Sequence, residues 1–157
     1  VEYQIAKAGP ADEVPNHLLL LADENQELID AYLTGSDGYR LTVAGQIVGI
    51  GLLRVKDGTG EIMNIAVEPA YQGRGLGRAL LNHMSEVARQ QGLARLVIKT
   101  GNSGIRQIQL YQQQGFDLVG VNYNYFLEHY PEPIWENGIQ CRHQLVFEQT
   151  LDAQRND

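Results

Sequence analysis

The period of the apolar positions changes several times along the chain, and each change marks an element. Residues 3–6 alternate and predict an opening strand, which the Gly9-Pro10 break ends before two helical stretches over 12–23 and 25–33. Pro15 falls in the first turn of the earlier stretch. Strand-like runs resume at 39–43, 46–56 and 60–67, separated by Ala44-Gly45 and Asp57-Gly58. Both dipeptides suit tight hairpin turns, so these runs predict a three-stranded antiparallel meander. After Pro69 and a glycine-rich turn, Leu76, Ala79, Leu80, Met84, Val87 and Ala88 recur at helical spacing until Gly92 supplies a stop. Leu96-Val97-Ile98 reads as a short buried strand, Asn102 or Ser103 as the cap of a helix running to about Gln114, and Gly115 as its end. Residues 116–126 and 140–148 read as two long strands joined by the Pro131-Glu132-Pro133 loop. The fold class this predicts is α/β, a mixed sheet with helices on both faces, as one domain over 1–157 with a frayed tail at 149–157.

Composition narrows the partners more than the fold. With 157 residues, 43% apolar and 20% charged, the chain can bury a core without metal or disulfide staples. Nineteen acidic against twelve basic side chains give a formal charge of −7, which argues against nucleic acid and anionic membranes and favours a cationic partner. The longest apolar runs, 18–22 and 47–53, fall far short of the roughly 20 residues a membrane helix needs. The N-terminal Val1-Glu2-Tyr3-Gln4 shows neither a basic nor an apolar export region, so a cytoplasmic location is expected. The lone Cys141 reads as a packed small hydrophobe, and the four histidines lack ligand spacing, so no metal is expected.

The chemistry concentrates at residues 65–78, a strand, a short loop and a helix N-terminus containing Gly73, Gly75 and Gly77. Glycines there allow close backbone approach, first-turn N–H groups favour a phosphate, and Arg74 and Arg78 add positive charge. A Walker-type loop requires Lys followed by Ser or Thr, where this chain has Arg78-Ala79. The dinucleotide fingerprint requires a small residue where Arg78 stands, and the next strand ends in Lys99-Thr100 without a ribose-binding acid.

The pattern Gln72-x-x-Gly75-x-Gly77, preceded by Asn64-Ile65-Ala66-Val67-x-Pro69-x-Tyr71, resembles the acetyl-CoA-binding signature of the GCN5-related N-acetyltransferase (GNAT) family. The stretch 102–116, ending in Leu110-Tyr111-Gln112-Gln113-Gln114-Gly115-Phe116, resembles a later motif of that family, and residues 128–141 are similar to a poorly characterised bacterial branch of it. The resemblance covers about residues 1–148. It implies a GNAT-like, mostly antiparallel seven-stranded sheet and acetyl-CoA as co-substrate without a metal. The backbone of Ile65, Ala66 and Val67 would pair with the pantetheine arm, and Gln72, Gly73, Arg74, Gly75, Leu76, Gly77 and Arg78 would wrap the pyrophosphate. The fourth strand would bulge and splay from the fifth to open a slot for the thioester, with Asn102 lining it.

Acetyl transfer to an amine needs a proton acceptor for the ammonium, a donor for the oxyanion and an acid for the departing thiolate. A strand N–H near Ile65 suits the oxyanion. Tyr111 matches the family's usual acid; its other reading is a core aromatic beside Leu110. Glu61, eleven residues before Gln72, matches the base of the histone-type members. On simple alternation it shares a face with Met63 and Ile65, so it either points to the slot or sits solvated at the strand start. Asn64 is a further polar candidate, able to hold a relay water. The expected activity is N-acetylation of a primary amine by direct attack in a ternary complex. The acceptor is a small cationic amine or a basic peptide end, drawn by an acidic late loop bearing Glu128, Glu132 and Glu136, and a homodimer is compatible with this reading. The alternative is a non-catalytic acyl-CoA-binding or regulatory module.

Overall fold

The computed structural model describes residues 2–9 and 12–151. Strand β1 (Gln4–Lys7) leads into helices α1 (Asn16–Ala22) and α2 (Gln26–Leu33), then β2 (Asp37–Val43), β3 (Gln46–Lys56) and β4 (Thr59–Val67). Helix α3 (Leu76–Gln90), β5 (Arg95–Gly101), α4 (Ile105–Gln113) and β6 (Asp117–Asn122) follow. The chain closes with α5 (Tyr125–His129), β7 (Ile134–Glu136), β8 (Ile139–Cys141) and β9 (Gln144–Thr150).

The main sheet is seven-stranded in the order β1-β2-β3-β4-β5-β9-β6, and only the β4–β5 pair is parallel. Both predicted hairpins form, with left-handed φ at Ala44 and Gly45 and again at Asp57 and Gly58, the geometry a twist-compatible two-residue turn requires. The two faces of the sheet are covered by different helices. Leu76, Leu80, Leu81, Met84 and Ala88 of α3 pack with Tyr111 of α4 and Phe147 of β9 on one face, and Leu18, Leu19, Ile29 and Tyr32 of α1 and α2 cover the other.

Four sequence expectations change. The run 116–126 is not one strand: β6 stops at Asn122, Asn124 takes a left-handed φ of 61°, and the chain turns into α5. The run 140–148 is likewise broken at Arg142-His143, which separates β9 from the small β7–β8 hairpin. Helix α4 has Gly104 at its N-cap with no side-chain cap, so neither Asn102 nor Ser103 plays that part. The fraying expected from residue 149 does not begin there. Gln149 and Thr150 pair with β5, and Leu151 is only 5% exposed; residues 152–157 lie outside the described residues.

Close packing of α3 on β3 depends on one missing side chain. A Cβ at Gly51 would overlap the Met84 sulfur and touch Leu80. Gly51→Ala is therefore expected to destabilise the protein by about 1–3 kcal/mol through overpacking, measured by urea denaturation. Adding Met84→Ala should recover part of that loss, so the double variant will be more stable than the sum of the two single effects predicts.

Candidate functional site

Strands β4 and β5 pair from Thr59↔Arg95 to Ile62↔Ile98 and then part. The cause lies on the other side of β4. Its register against β3 steps from Leu52↔Asn64 to Leu53↔Ile62, which leaves Met63 as an extra residue. This β-bulge bends the strand away from β5. Beyond it, residues 64–67 keep β3 on one edge and have no strand on the other among the described residues.

The bulge also corrects the expected facing of side chains. Ile62, Ile65 and Val67 join the core under α3, whereas Met63 and Asn64 both pack toward α1 and α2. Glu61 therefore shares its face with Met63 but not with Ile65.

At the end of the free edge lies the glycine-rich turn. Gly73 and Gly75 have φ of +77° and +80°, and a Cβ at either would meet nothing within 4 Å. The demand there is for left-handed backbone rather than for space. Gly75 is the N-cap of α3 without a capping side chain, so the first-turn N–H groups and the positive end of the helix dipole face outward. A cavity of about 540 Å³ runs over this turn, lined by Ile65, Ala66 and Val67, by Gln72, Gly73, Gly75, Leu76 and Gly77, and by Arg78. Its opposite wall is α4, which contributes Arg106, Gln109, Leu110 and Gln113 at helical spacing. Reading the sequence missed that wall, although the 106–109–113 periodicity signals a single helix face. Gln72 ties the turn to the strand, its amide donating to the Val67 carbonyl at 2.9 Å. Arg74 does not line the cavity; its guanidinium lies 5.1 Å from the Tyr71 ring centroid. Arg78 and Arg106 are the cations facing the cradle.

A second cavity, about 660 Å³, opens beside the splay and meets the first at Leu21, Ala22, Ile65, Gln107 and Tyr111. Tyr111 is 3% exposed and packs edge-on to Phe147 at 5.7 Å. Burial alone pushes its phenol well above the ordinary value, so it stays protonated at neutral pH. Tyr111 is thus a core aromatic, one of its two sequence readings, and it also lines both cavities.

Glu61 lines the second cavity, with Arg54 at 3.4 Å from one oxygen and Lys99 at 3.3 Å from the other. These partly exposed pairs are worth at most about 1 kcal/mol each; they orient the carboxylate more than they stabilise the fold. Asn64, 4% exposed, donates through its amide nitrogen to the Leu19 carbonyl at 3.0 Å and to the Tyr32 hydroxyl at 2.9 Å. Tyr32 in turn donates to Asp23 at 3.1 Å, and Tyr130 donates to the same carboxylate at 2.6 Å. Asp23, Tyr32, Tyr125 and Tyr130 all line this cavity. Asp23, Tyr32 and Tyr130 were not singled out from the sequence, because they meet only after α1, α2 and α5 fold over one end of the sheet.

Asn102 lies in neither cavity lining. Its side chain accepts from the Arg142 and His143 N–H groups at 2.8 and 2.9 Å and donates to the Gln140 carbonyl at 3.1 Å. It clamps the β8–β9 corner, and the expected place at the thioester slot is corrected accordingly. Cys141 is buried as expected, and burial raises its thiol. Among the described residues no cluster of His, Cys, Asp and Glu could hold a metal ion, and no helix is long and apolar enough to cross a membrane.

A helix-terminal anion cradle joined through a splayed strand pair to a polar cavity is the arrangement of a group-transfer enzyme with a long, phosphate-bearing co-substrate. The acetyltransferase (GNAT) family model matches residues 9–116, and the chain belongs to that family. It is 41% identical over 126 residues to the uncharacterized N-acetyltransferase YvbK of Bacillus subtilis (strain 168), covering 80% of this chain and 81% of that protein. The [ribosomal protein bS18]-alanine N-acetyltransferase of Escherichia coli (strain K12) is 34% identical over 88 residues, 56% of this chain and 60% of that one. The crystal structure of a GNAT acetyltransferase from Elizabethkingia anophelis with acetyl-CoA bound superposes with a TM-score of 0.92 at 40% identity, covering 95% of this chain and 98% of that chain.

The cradle makes a contrast between neighbouring glycines testable without ligand. Gly75→Ala should cost about 1–2 kcal/mol because an L-residue resists the left-handed region. Gly77→Ala, inside the first turn of α3 with open space around it, should be neutral or stabilising by up to about 1 kcal/mol. Thermal and urea melts of the two variants check the ordering.

Proposed function

We propose that the protein transfers the acetyl group of acetyl-CoA to a primary amine by direct attack in a ternary complex. The acceptor is a small cationic amine or a basic peptide end. The observation that carries this reading is Tyr111, which stands where the anion cradle and the acidic cavity join. The E. coli relative's name, a ribosomal-protein alanine acetyltransferase, supports an amine acceptor of the peptide kind.

In this reading the backbone N–H groups of the turn and Arg78 hold the pyrophosphate of acetyl-CoA, with Arg106 as added positive charge. The free edge of β4 pairs with the pantetheine arm at Ile65 and Ala66, while the Val67 carbonyl is already taken by Gln72. An N–H of residues 63–65 on that edge donates to the carbonyl oxygen as negative charge develops. The acceptor enters through the larger cavity, its nitrogen attacks the carbonyl carbon, and the C–S bond breaks. Glu61 takes the amine's proton through water, since cations flank both of its oxygens. The Tyr111 hydroxyl protonates the departing thiolate and is reprotonated from solvent before the next turnover.

The deciding assay is release of free CoA from acetyl-CoA, read with a thiol reagent, only when an amine is added. No release with any amine despite acetyl-CoA binding favours the regulatory-module alternative, and release without dependence on amine means thioester hydrolysis instead of amine acetylation. Tyr111→Phe keeps the ring packing and removes the proton, so kcat should fall about 10²-fold or more with little change in acetyl-CoA affinity.

Glu61→Gln tests the other proton. An alkylamine with pKa ~10.4 is mostly protonated at neutral pH and needs the base most there. The ratio of wild-type to variant kcat should be largest near pH 6.5 and shrink toward pH 9.5, where free amine becomes abundant. A flat ratio across that range removes Glu61 from the reaction.

A further inference from the structure

The larger cavity is electrically divided. Glu61 sits between Arg54 and Lys99 at one end, where its charge is more than balanced. Asp23, Glu24 and Glu136 line the rest of the wall and enter none of the ion pairs formed among the described residues. Asp23 is held in place by the hydroxyls of Tyr32 and Tyr130, so its negative charge is oriented but not neutralised.

Aromatic faces surround that charge. Tyr125 stacks on His129 at 4.2 Å, and Phe126 lies 5.2 Å from Tyr130. Trp135, on β7 at the rim, is 65% exposed, and packing gives no account of so large an uncovered ring beside a cavity. Tyrosine and tryptophan faces attract cations, by roughly 0.5–2 kcal/mol per contact depending on desolvation.

A separate observation points to a ligand carrying N–H donors. Asn64 has both amide hydrogens committed to Leu19 and Tyr32, and its buried Oδ1 has no partner among the described residues. A buried acceptor left unpaired costs about 1–3 kcal/mol. Asn64 lines this cavity at the splay, and one tyrosine hydroxyl links its amide to Asp23. The splay end thus lacks a donor, and the aromatic end lacks a cation.

We propose that the acidic and aromatic end of this cavity, Asp23 and Glu136 with Tyr125, Tyr130 and Trp135, binds a second cationic centre of the acceptor. The substrates are then primary amines that carry another positive charge a few bonds from the reacting nitrogen. This rests on the amine-acetylation reading and names its substrate class. Glu24, which also faces the cavity, adds to the same field, while Arg54 and Lys99 remain with Glu61.

The test compares three acceptors of matched length: 1,5-diaminopentane, n-pentylamine and 5-aminopentanoate. In wild type, kcat/KM should be at least tenfold higher for the diamine than for n-pentylamine and lowest for 5-aminopentanoate. Asp23→Asn should bring the diamine within threefold of n-pentylamine. Glu136→Gln, which alters a rim residue whose carboxylate bonds only to Ser103 among the described residues, should narrow the same ratio at least twofold and guards against misfolding of the Asp23 variant. Equal use of diamine and monoamine, preference for the amino acid, or a ratio unchanged in both variants overturns the inference while leaving amine acetylation standing. Calorimetric titration of 1,5-diaminopentane into the full chain with CoA present gives a readout independent of turnover. If no amine is acetylated, the proposed reaction fails; the inference then stands on at least fivefold weaker diamine binding in Asp23→Asn and falls if that affinity is unchanged.

Discussion

One extra residue in β4 organises the site. Met63 has no counterpart on β3, and from that point β4 and β5 cease to share hydrogen bonds although each continues for several residues. A sheet interior normally satisfies both edges of every strand. Here the unpaired edge of residues 63–67 faces a cavity and can bond to a ligand. The same bulge turns Asn64 toward α1 and α2 and leaves Ile65 on the α3 face, so adjacent residues of one strand address different walls.

The two cavities follow from this separation and divide the chemistry. On one side α3 presents its uncapped N-terminus and α4 a mostly glutamine-lined wall with Arg106; on the other, α1, α2 and α5 bring carboxylates and phenols together. Tyr111 belongs to both. It can serve both because it is part of the core: Phe147 and Phe116 fix its ring, and burial keeps the phenol protonated. Exclusion of water by itself holds the proton on this phenol, without a charged neighbour.

Polar groups in the second cavity are set by long-range partners. Asp23 receives hydroxyls from positions 9 and 107 residues away, and Glu61 is gripped from β3 and β5. Asn102 is instead spent on tying the β8–β9 corner to the end of β5, which frees the segment before it, Thr100 and Gly101, to line the cavity. A Cβ at Gly101 would overlap the Cys141 sulfur and press on Phe126, so this wall is closely fitted.

Much of the architecture was legible in the chain alone because it is written in local signals. The dipeptides Ala44-Gly45 and Asp57-Gly58 adopt the positive φ that makes hairpins, and the 3.6-residue repeat of α3 and the glycines before it mark the helix and the cradle within one short window. Those signals also carried the likeness to the family. Alternation failed at β4, because a bulge is a mismatch between two strands and neither strand records it by itself. It failed again at 116–126, where Asn124 turns the chain and Phe126 leaves the strand pattern for α5. The larger cavity was legible only in part, at Glu61, Asn64, Tyr111 and Glu136. Asp23, Tyr32 and Tyr130 form no motif along the chain, and only the closure of α1, α2 and α5 over the end of the sheet puts one carboxylate within reach of two phenols and leaves one amide oxygen without a donor among the described residues. Backbone preferences act over a few residues and can be read in sequence; the pairing of buried polar groups depends on which distant surfaces meet, and that is decided by tertiary packing.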